Sequence, residues 1–500
     1  MSSTAIVVER SEMSGRRPIV NRILSFPVAQ AALLCVLAVM SARSNLNDPD
    51  MWWHLRTGQI IASTHSIPAS DLFSYTTNHQ ASVPQEWLSQ LSMYTLFKLG
   101  GFSGVAVWLC VAGALLFVSG YLLCCAYTSN PKIGFLGGLT IWMFSTVGFA
   151  PRPQMIGYLF LSLELLLIHL GRTRNPKWFF SLPILFALWV NSHGSFMLGL
   201  VVAAIFLGAS FMPFRAGLLV SRAWAPGVRK VYIAAVAMLP LALLCNPVGI
   251  RQILYPVDTL INQPIGLAQV LEWQPLRLVD ARGIGLMATI ACILIVVIVR
   301  QSELMWDELL LLAVGTWLAV SHLRLVFVFG ILAAPILCRV LSDFWDGYRA
   351  EQDRPWPNLI LIAGSVVVAV LAFPDRANIA QQLDRNNPVG AVAYMKTNQL
   401  SGPMLNEYVY GGYLIWAAPE FPVFVDGRAD VFEWTGVLGD FTQWETFQTD
   451  PRQLLDKYRI SFCLLARKSP MSTVMALLPG WRLAYQDDNS VIFKRVNSGR

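Results

Sequence analysis

Long apolar runs, separated by short polar segments, fill most of the chain between residues 23 and 373. About 20 consecutive apolar residues cross the hydrocarbon core of a bilayer as a helix. Only 13% of the 500 residues are charged, roughly half the share usual in soluble proteins. We therefore predict a polytopic α-helical membrane protein with about eleven transmembrane helices, near 23–42, 103–127, 133–150, 154–170, 178–190, 195–213, 231–245, 284–300, 307–320, 325–342 and 358–373.

The distribution of basic residues predicts the orientation of these helices. If the N-terminus lies inside and the spans alternate, the inside segments hold sixteen Lys and Arg residues, and the outside segments before residue 374 hold eight. Basic residues favour the cytoplasmic side. We therefore predict a cytoplasmic tail over 1–22 and a multispan domain over 23–373, with outer loops near 43–87 and 246–283. The net charge of +7 is small for this length and indicates topology rather than a nucleic-acid partner.

Charged residues return from about residue 374, and no apolar run of membrane length follows. Alternating strand and helix patterns favour a small α/β domain over 374–500, which is long enough for its own core. The predicted topology makes this domain extracytoplasmic. The predicted strands are 403–406, 423–426, 460–466 and 490–494, and the predicted helical pieces are 388–398, 413–417, 451–458 and 470–478.

Ionisable and aromatic residues at the span ends gather on the predicted outer side, whereas the predicted inner loops are basic connectors. A one-sided collection of carboxylates, histidines and arginines at span ends is typical of a site at the membrane surface. The outer clusters lie at 47–58, 85–87, 151–154, 191–194, 272–275 and 321–324.

The first outer loop holds two carboxylates, Asp48 and Asp50, on either side of a proline. Two carboxylates at that spacing can share a divalent cation, or one of them can act as a base; the alternative is a helix N-cap. Trp52 and Trp53 suit either stacking on a sugar or lipid, or an interfacial aromatic belt. His54 is a base, a phosphate donor or an interfacial residue.

Two arginines occupy short outer turns. Arg152 lies between two prolines, and Arg324 closes a turn that also holds His322. Arginine recognises phosphate through a fixed, bidentate geometry. The alternative is that both side chains extend to the interface only to keep their charge in water.

Further candidates carry a carboxylate or an imidazole. Glu86 and Glu272 each precede a tryptophan, a pair that suits sugar binding and also suits a wet interface. His193 follows Asn191 and either contacts a substrate or caps a span.

In the C-terminal domain, Tyr410 begins a Tyr-Gly-Gly-Tyr segment, and Asp426 and Arg428 follow a predicted strand. Loops after strands often carry function. The alternative is a structural turn with an internal Asp–Arg pair.

These motifs together resemble a group of bacterial membrane proteins that are similar to the glycosyltransferase C superfamily. That superfamily includes oligosaccharyltransferase catalytic subunits, protein O-mannosyltransferases and lipid A aminoarabinose transferases. The motifs that carry the resemblance are Asp-Pro-Asp-x-Trp-Trp-His-Leu-x-Thr-Gly, Glu-Trp-Leu, Trp-x-Asn-x-His-Gly, Glu-Trp-x-Pro, Tyr-Gly-Gly-Tyr-Leu-Ile-Trp and Val-Asp-Gly-Arg. The Trp-Trp-Asp-Tyr-Gly motif of oligosaccharyltransferases is absent, so transfer to asparagine is not implied.

The resemblance implies an enzyme of the bacterial inner membrane that moves a sugar from a polyprenyl-phosphate donor to a glycan, lipid or protein acceptor at the outer face. Asp48 or Asp50 would be the general base or the ligand of a divalent cation, Mg²⁺ or Mn²⁺. Arg152 and Arg324 would neutralise the leaving phosphate. The residues implied for sugar or acceptor contacts are Glu86, His54 and His193.

Three other functions remain open from the sequence. A transporter or flippase for a lipid-linked solute should place ionisable residues near mid-membrane, where the chain offers Glu164 and His169. A ligase or polymerase of surface polysaccharide would share the outer site and differ in its acceptor. A non-catalytic envelope assembly factor would tolerate loss of Asp48 and Asp50.

Overall fold

A computed structural model describes residues 19–77, 80–81, 83–262, 265 and 271–496. Two apolar helices in this part of the chain, Pro176–Val190 and Phe196–Ala209, are shorter than a usual span. Within the described residues, seven helices are long and apolar enough to cross a membrane, namely Phe26–Ser44, Phe102–Thr128, Gln154–Thr173, Pro226–Leu243, Ala281–Arg300, Leu323–Phe344 and Pro355–Ala372. The protein is a polytopic α-helical membrane protein, as predicted, and the total of eleven spans stays a prediction.

The helices and strands of the described residues are numbered in chain order. The helices are α1 Ile19–Ile23, α2 Phe26–Ser44, α3 Met51–Thr64, α4 Trp87–Gly100, α5 Phe102–Thr128, α6 Pro131–Phe144, α7 Gln154–Thr173, α8 Ser181–Val190, α9 Phe196–Ala209, α10 Pro226–Ala237, α11 Leu239–Leu243, α12 Ile250–Asn262, α13 Ala281–Arg300, α14 Trp306–Ser321, α15 Val326–Leu341, α16 Pro355–Ala372, α17 Arg376–Arg385, α18 Val389–Thr397, α19 Gly411–Ala417, α20 Ala429–Trp434, α21 Val437–Glu445, α22 Pro451–Lys457 and α23 Pro470–Leu477. The strands are β1 Phe214–Ala216, β2 Leu219–Ser221, β3 Leu304–Met305, β4 Met404–Asn406, β5 Phe462–Ala466, β6 Trp481–Gln486 and β7 Ser490–Arg495.

Helix α15 lies at the centre of the bundle, and nearly all of its side chains are buried. Small residues let its neighbours approach closely, as is usual between membrane helices. At Gly330 a Cβ atom would lie only 2.7 Å from Cβ of Phe144 on α6. Helix α16 lies at the periphery and exposes apolar side chains such as Ile360 and Val370, which suits contact with lipid.

The C-terminal domain contains a four-stranded sheet in the order β4-β5-β7-β6. Strands β4 and β5 are parallel, and the other two pairings are antiparallel. Helices pack around this sheet, which confirms the predicted small α/β domain. The strand predicted at 423–426 was wrong, because Val423 forms only an isolated parallel bridge with Ser74 of the first loop. The sheet instead gains β6 (Trp481–Gln486), which the sequence analysis did not predict.

The first loop docks onto the C-terminal domain through buried polar contacts. Arg428 donates from Nη1 to Oδ1 of Asp71 at 2.5 Å and from Nε to Oδ1 of Asp426 at 2.8 Å. Thr76 donates from Oγ1 to the carbonyl oxygen of Phe424 at 2.7 Å. Burial by itself disfavours the Asp71 carboxylate, but Arg428 and two hydroxyl donors outweigh it and lower the pKa of Asp71 to about 2. Asp71 therefore stays ionised and holds the loop against the domain.

We expect Asp71→Asn to weaken this docking by about 3–5 kcal/mol, because it leaves part of the Arg428 charge buried and unpaired. The folded-state pKa of Asp71 lies below its usual value, so its contribution is present at neutral pH and is lost as the pH falls from about 4 towards 2. Thermal unfolding in detergent and proteolysis of the first loop measure the effect. Asp488→Asn is the control, because Asp488 is fully exposed in its pair with Arg467. Equal melting temperatures for the two variants at neutral pH would contradict this account.

Candidate functional site

A cavity of about 1350 Å³ lies where the helical bundle meets the first loop and the C-terminal domain. Eleven of the residues singled out from the sequence line it, although they come from separate stretches of the chain. These are Asp48, Asp50, Trp53, His54, Glu86, Arg152, His193, Glu272, His322, Arg324 and Arg428. The structure thus brings most of the predicted outer-side clusters into one space.

Arg152 lies among three carboxylates on the wall of this cavity. Its Nε donates to both oxygens of Asp48 at 2.7 Å, and its Nη1 donates to Oε2 of Glu272 at 3.0 Å. Oδ2 of Asp50 lies 3.4 Å from the same Nη1. Burial opposes the charged guanidinium, but the three carboxylates outweigh it and raise the pKa of Arg152 well above its ordinary value. One permanent positive charge therefore compensates carboxylates from two loops.

Local hydrogen bonds hold Asp48 and Asp50 in position within this cluster. Asp48 accepts the backbone N–H of Asp50 at 2.9 Å, and Asp50 accepts the indole N–H of Trp53 at 3.2 Å. Asp50 occupies the N-cap position of α3, but its side chain makes no capping hydrogen bond. Burial is the largest influence on Asp50 and raises its pKa, against the opposing effect of Arg152. The Asp50 side chain therefore lines the cavity and does not cap α3.

Arg324 lies beside this cluster. Its Nη2 donates to the side-chain oxygen of Gln154, its Nη1 lies 3.9 Å from Oε2 of Glu272, and its guanidinium lies 5.6 Å from the ring centroid of Trp273. His322 contacts the carbonyl oxygen of Trp273 through Nδ1 at 2.8 Å. A carbonyl oxygen only accepts, so Nδ1 of His322 is the donor in this contact.

Glu86 faces two histidines on the opposite part of the wall. Its Oε2 lies 3.7 Å from Nδ1 of His54, and its Oε1 lies 3.5 Å from Nε2 of His193. Nδ1 of His193 accepts the backbone N–H of Ser195 at 3.1 Å, so the neutral ring carries its proton on Nε2 and points it at Glu86.

The pKa values of this group are displaced by burial. Burial raises the pKa of Glu86 to about 8, helped by Asp50 and Asp430 and opposed by Arg324 and Arg152. Burial lowers the pKa of His193 to about 3 and that of His54 well below its ordinary value. Both histidines are therefore neutral at physiological pH, and Glu86 is the group that titrates near neutrality.

Three of the predicted residues lie elsewhere. Trp52 is buried and lines a separate cavity of about 740 Å³ beside Phe102 and Tyr413. Tyr410 is buried in the C-terminal domain, where its hydroxyl donates to the carbonyl oxygen of Asn489. Asp426 is fully buried under Arg428. For Asp426 and Arg428 the structure has the internal pair that the sequence analysis gave as the structural alternative.

The cavity is also lined by residues that were not selected from the sequence, among them Glu407, Tyr408 and Asp430. All three belong to segments next to the Tyr-Gly-Gly-Tyr and Val-Asp-Gly-Arg motifs, so proximity to those motifs was the available signal. The hydroxyl of Tyr255 on α12 donates to Asp430, which joins α12 to the C-terminal domain at the cavity.

The residues predicted to bind a divalent cation are engaged otherwise. A cation would need free oxygens of Asp48 and Asp50, but both oxygens of Asp48 and one of Asp50 contact Arg152. Among the described residues, no group of three or more His, Cys, Asp or Glu side chains is placed to hold a metal ion. In this arrangement the donor set does not fit a cation between Asp48 and Asp50.

No protein-family model matches the sequence, and no curated protein matches it either. Solved structures do match. The oligosaccharyltransferase of Archaeoglobus fulgidus, tethered to an acceptor peptide with the NVT sequon, has a TM-score of 0.58 and 14% identity over 94% of this chain and 74% of that chain. The same protein, named AglB, in complex with an inhibitory peptide and a dolichol-phosphate has a TM-score of 0.55, 13% identity and the same coverage.

ArnT from Cupriavidus metallidurans, bound to undecaprenyl phosphate, has a TM-score of 0.52 and 13% identity, with 94% of this chain and 98% of that chain covered. At this level of identity the likeness shows the fold. The membrane bundle with a C-terminal α/β domain therefore shares the fold of these solved proteins, which is the layout that the sequence resemblance implied.

Proposed function

We propose that this protein is a membrane glycosyltransferase that moves a sugar from a polyprenyl-phosphate donor to an acceptor. The proposed site is the cavity between the bundle and the C-terminal domain, and the proposed face is the extracytoplasmic face of a bacterial inner membrane. Solved proteins of the same fold bind dolichol-phosphate and undecaprenyl phosphate, which supports this donor class.

The observation that carries the proposal is the pair of guanidinium groups in this cavity. Arg152 and Arg324 both reach the same Glu272 oxygen, at 3.0 Å and 3.9 Å. Nη2 of Arg152 has no partner among the described residues, and Arg324 contacts the neutral Gln154. Unused N–H groups on two neighbouring guanidiniums suit a phosphate and stabilise its charge as it leaves the sugar.

The apolar side of the cavity supports a lipid donor. Val201 on α9 and Trp317 on α14 line the cavity and are 45% and 68% exposed on the bundle surface. Both helices correspond to predicted spans, 195–213 and 307–320, so in this proposal their exposed apolar side chains face lipid and the cavity opens sideways towards the bilayer. A prenyl chain can then remain in lipid while its phosphate lies near the two arginines.

The residues that line the cavity have different roles in this proposal. Asp48 and Asp50 hold Arg152 in place, so the guanidinium occupies the position that the sequence analysis assigned to a divalent cation. Trp53, His54, His193 and Glu272 remain the proposed contacts for the sugar and the acceptor. His322 remains a proposed contact for the donor phosphate, together with Arg152 and Arg324. A ligase or polymerase of surface polysaccharide would use the same site with another acceptor.

The transporter alternative finds less support. Its mid-membrane candidate Glu164 is fully buried in α7 without a hydrogen bond in the described structure, and it does not line the cavity. His169 contacts the carbonyl oxygen of Ala126 at 3.0 Å. The ionisable groups that share a space therefore lie at the end of the bundle that carries the C-terminal domain.

We expect purified wild type in lipid to release undecaprenyl phosphate from at least one member of a panel of radiolabelled undecaprenyl-phosphate sugars. Arg324→Ala should weaken binding of undecaprenyl phosphate by about 10–100-fold, the value of a charged hydrogen bond, and should lower turnover as well. Titration calorimetry in nanodiscs measures the binding. Arg482→Ala, on the exposed surface of β6, is the control and should bind as wild type does. Wild-type affinity in Arg324→Ala would contradict the assigned phosphate contact.

We expect Arg152 and Asp48 to be strongly coupled. Arg152→Gln removes the guanidinium that Asp48 and Asp50 contact and leaves Glu272 with only the more distant Arg324, so it should destabilise the protein by about 3–5 kcal/mol. Adding Asp48→Asn should recover about 1–3 kcal/mol of that loss. Equilibrium unfolding of the two single variants and the double variant gives the coupling.

The same account predicts that a chelator leaves turnover by wild type within about twofold, a change of under about 0.5 kcal/mol in barrier height. Additive losses in the double variant, together with loss of turnover in the chelator, would show that a cation rather than Arg152 organises these carboxylates.

A further inference from the structure

We propose that Glu86 is the general base that removes the proton of the acceptor hydroxyl, a role that the resemblance implied for Asp48 or Asp50. This inference rests on the proposed function, because it assigns a step of the same reaction in the same cavity. It stands on the geometry of three segments that meet around Glu86.

The position of Glu86 is fixed at the start of α4. The indole N–H of Trp87 donates to the side-chain oxygen of Asn191 at 2.7 Å, and the hydroxyl of Ser89 donates to the carbonyl oxygen of Ser192 at 3.0 Å. These contacts tie the first turn of α4 to the turn between α8 and α9 that carries His193. The carboxyl group is thereby held against the cavity, with 16% of the side chain exposed.

The surroundings leave Glu86 free to accept a proton. His193 directs an Nε2–H group at Oε1 and can orient the carboxylate without neutralising it. Nδ1 of His54 contacts the side-chain amide nitrogen of Gln90 at 3.2 Å. The same Nδ1 lies 3.7 Å from Oε2, the other oxygen of Glu86. Neither contact is a salt bridge while both rings are neutral, so the carboxylate keeps its basicity.

The alternative bases are less available. Asp48 gives both oxygens to Arg152, so neither oxygen is open to an acceptor hydroxyl. Asp50 accepts from the Trp53 indole and faces Arg152, and its Oδ1 lies so close to Gly427 that an added Cβ there would be only 2.0 Å away. Among the described residues, the ion-pair contacts of the Glu86 carboxylate are with His54 and His193 and none is with a guanidinium, so an acceptor hydroxyl can approach it.

The proposed step is balanced. The acceptor oxygen forms a bond to the anomeric carbon, the bond from that carbon to the phosphate oxygen breaks, and its electron pair stays on the phosphate. The acceptor proton passes to Glu86. A phosphate leaving group needs no general acid, so one base is sufficient.

The charged groups around Glu86 make this step pH-dependent. Asp50 and Asp430 favour its protonated form, Arg324 and Arg152 favour its ionised form, and burial places its pKa at about 8. A base works only when it is deprotonated. Turnover by wild type should therefore rise with pH and level off above about 8, a profile that Glu86→Gln should lose.

The test compares two nucleophiles in donor turnover by wild type and Glu86→Gln. Water must lose a proton when it attacks the sugar, whereas azide carries none. We expect Glu86→Gln to lower turnover with water by about 10²–10⁴-fold, the usual worth of a general base. With azide, which forms a glycosyl azide, the deficit should shrink to about tenfold or less. Glu420→Gln, on the surface of the C-terminal domain with Lys396, is the control and should match wild type.

The outcomes separate this inference from the proposed function. Equal losses with water and azide would show that Glu86 only supports the structure, and no loss with water would show that it is not the base; either result overturns the inference while the enzyme stands. No donor turnover by wild type with either nucleophile would refute the proposed function and this step with it. Melting temperatures of the variants establish that Glu86→Gln is folded.

Discussion

The site depends on the charge of Arg152. Three carboxylates, Asp48, Asp50 and Glu272, come together at the edge of a membrane bundle, where burial makes each bare charge costly. The guanidinium of Arg152, held between two prolines at the start of α7, contacts all three, and Arg324 reaches only Glu272. Arg152 therefore joins the first loop to the loop before α13 at the wall of the cavity.

The fold then divides the cavity by chemistry. The bundle contributes apolar side chains that reach the lipid-facing surface, and the loops contribute the ionisable groups. The C-terminal domain closes the polar side, because the first loop is anchored to it through Asp71 and Arg428 and α12 is anchored through Tyr255 and Asp430. The proposed polyprenyl-phosphate donor would need such a division, since its chain would stay in lipid while its headgroup met fixed charges.

The convergence of the outer clusters could be predicted from the sequence, because alternating spans place Glu86, Arg152, Glu272 and Arg324 at the same end of the bundle. The α/β character of the C-terminal domain could also be read from its strand and helix patterns. Both predictions rest on periodicity and composition, which are local properties.

The contacts between particular carboxylates and arginines could not be predicted in the same way. Asp48 and Arg152 are 104 positions apart, and Asp71 and Arg428 are 357 positions apart. No local pattern records which carboxylate a given arginine will meet. For that reason the Asp-Pro-Asp motif indicated a cation or a base, whereas its carboxylates contact Arg152.

The most direct test of the central claim is a cryo-EM structure of the full chain in nanodiscs with undecaprenyl phosphate. The account predicts that the phosphate lies in the cavity within hydrogen-bond distance of Arg324 and Nη2 of Arg152, with the prenyl chain leaving past Trp317. A phosphate bound outside this cavity, for example at the basic end of the bundle near Arg172, would contradict the account.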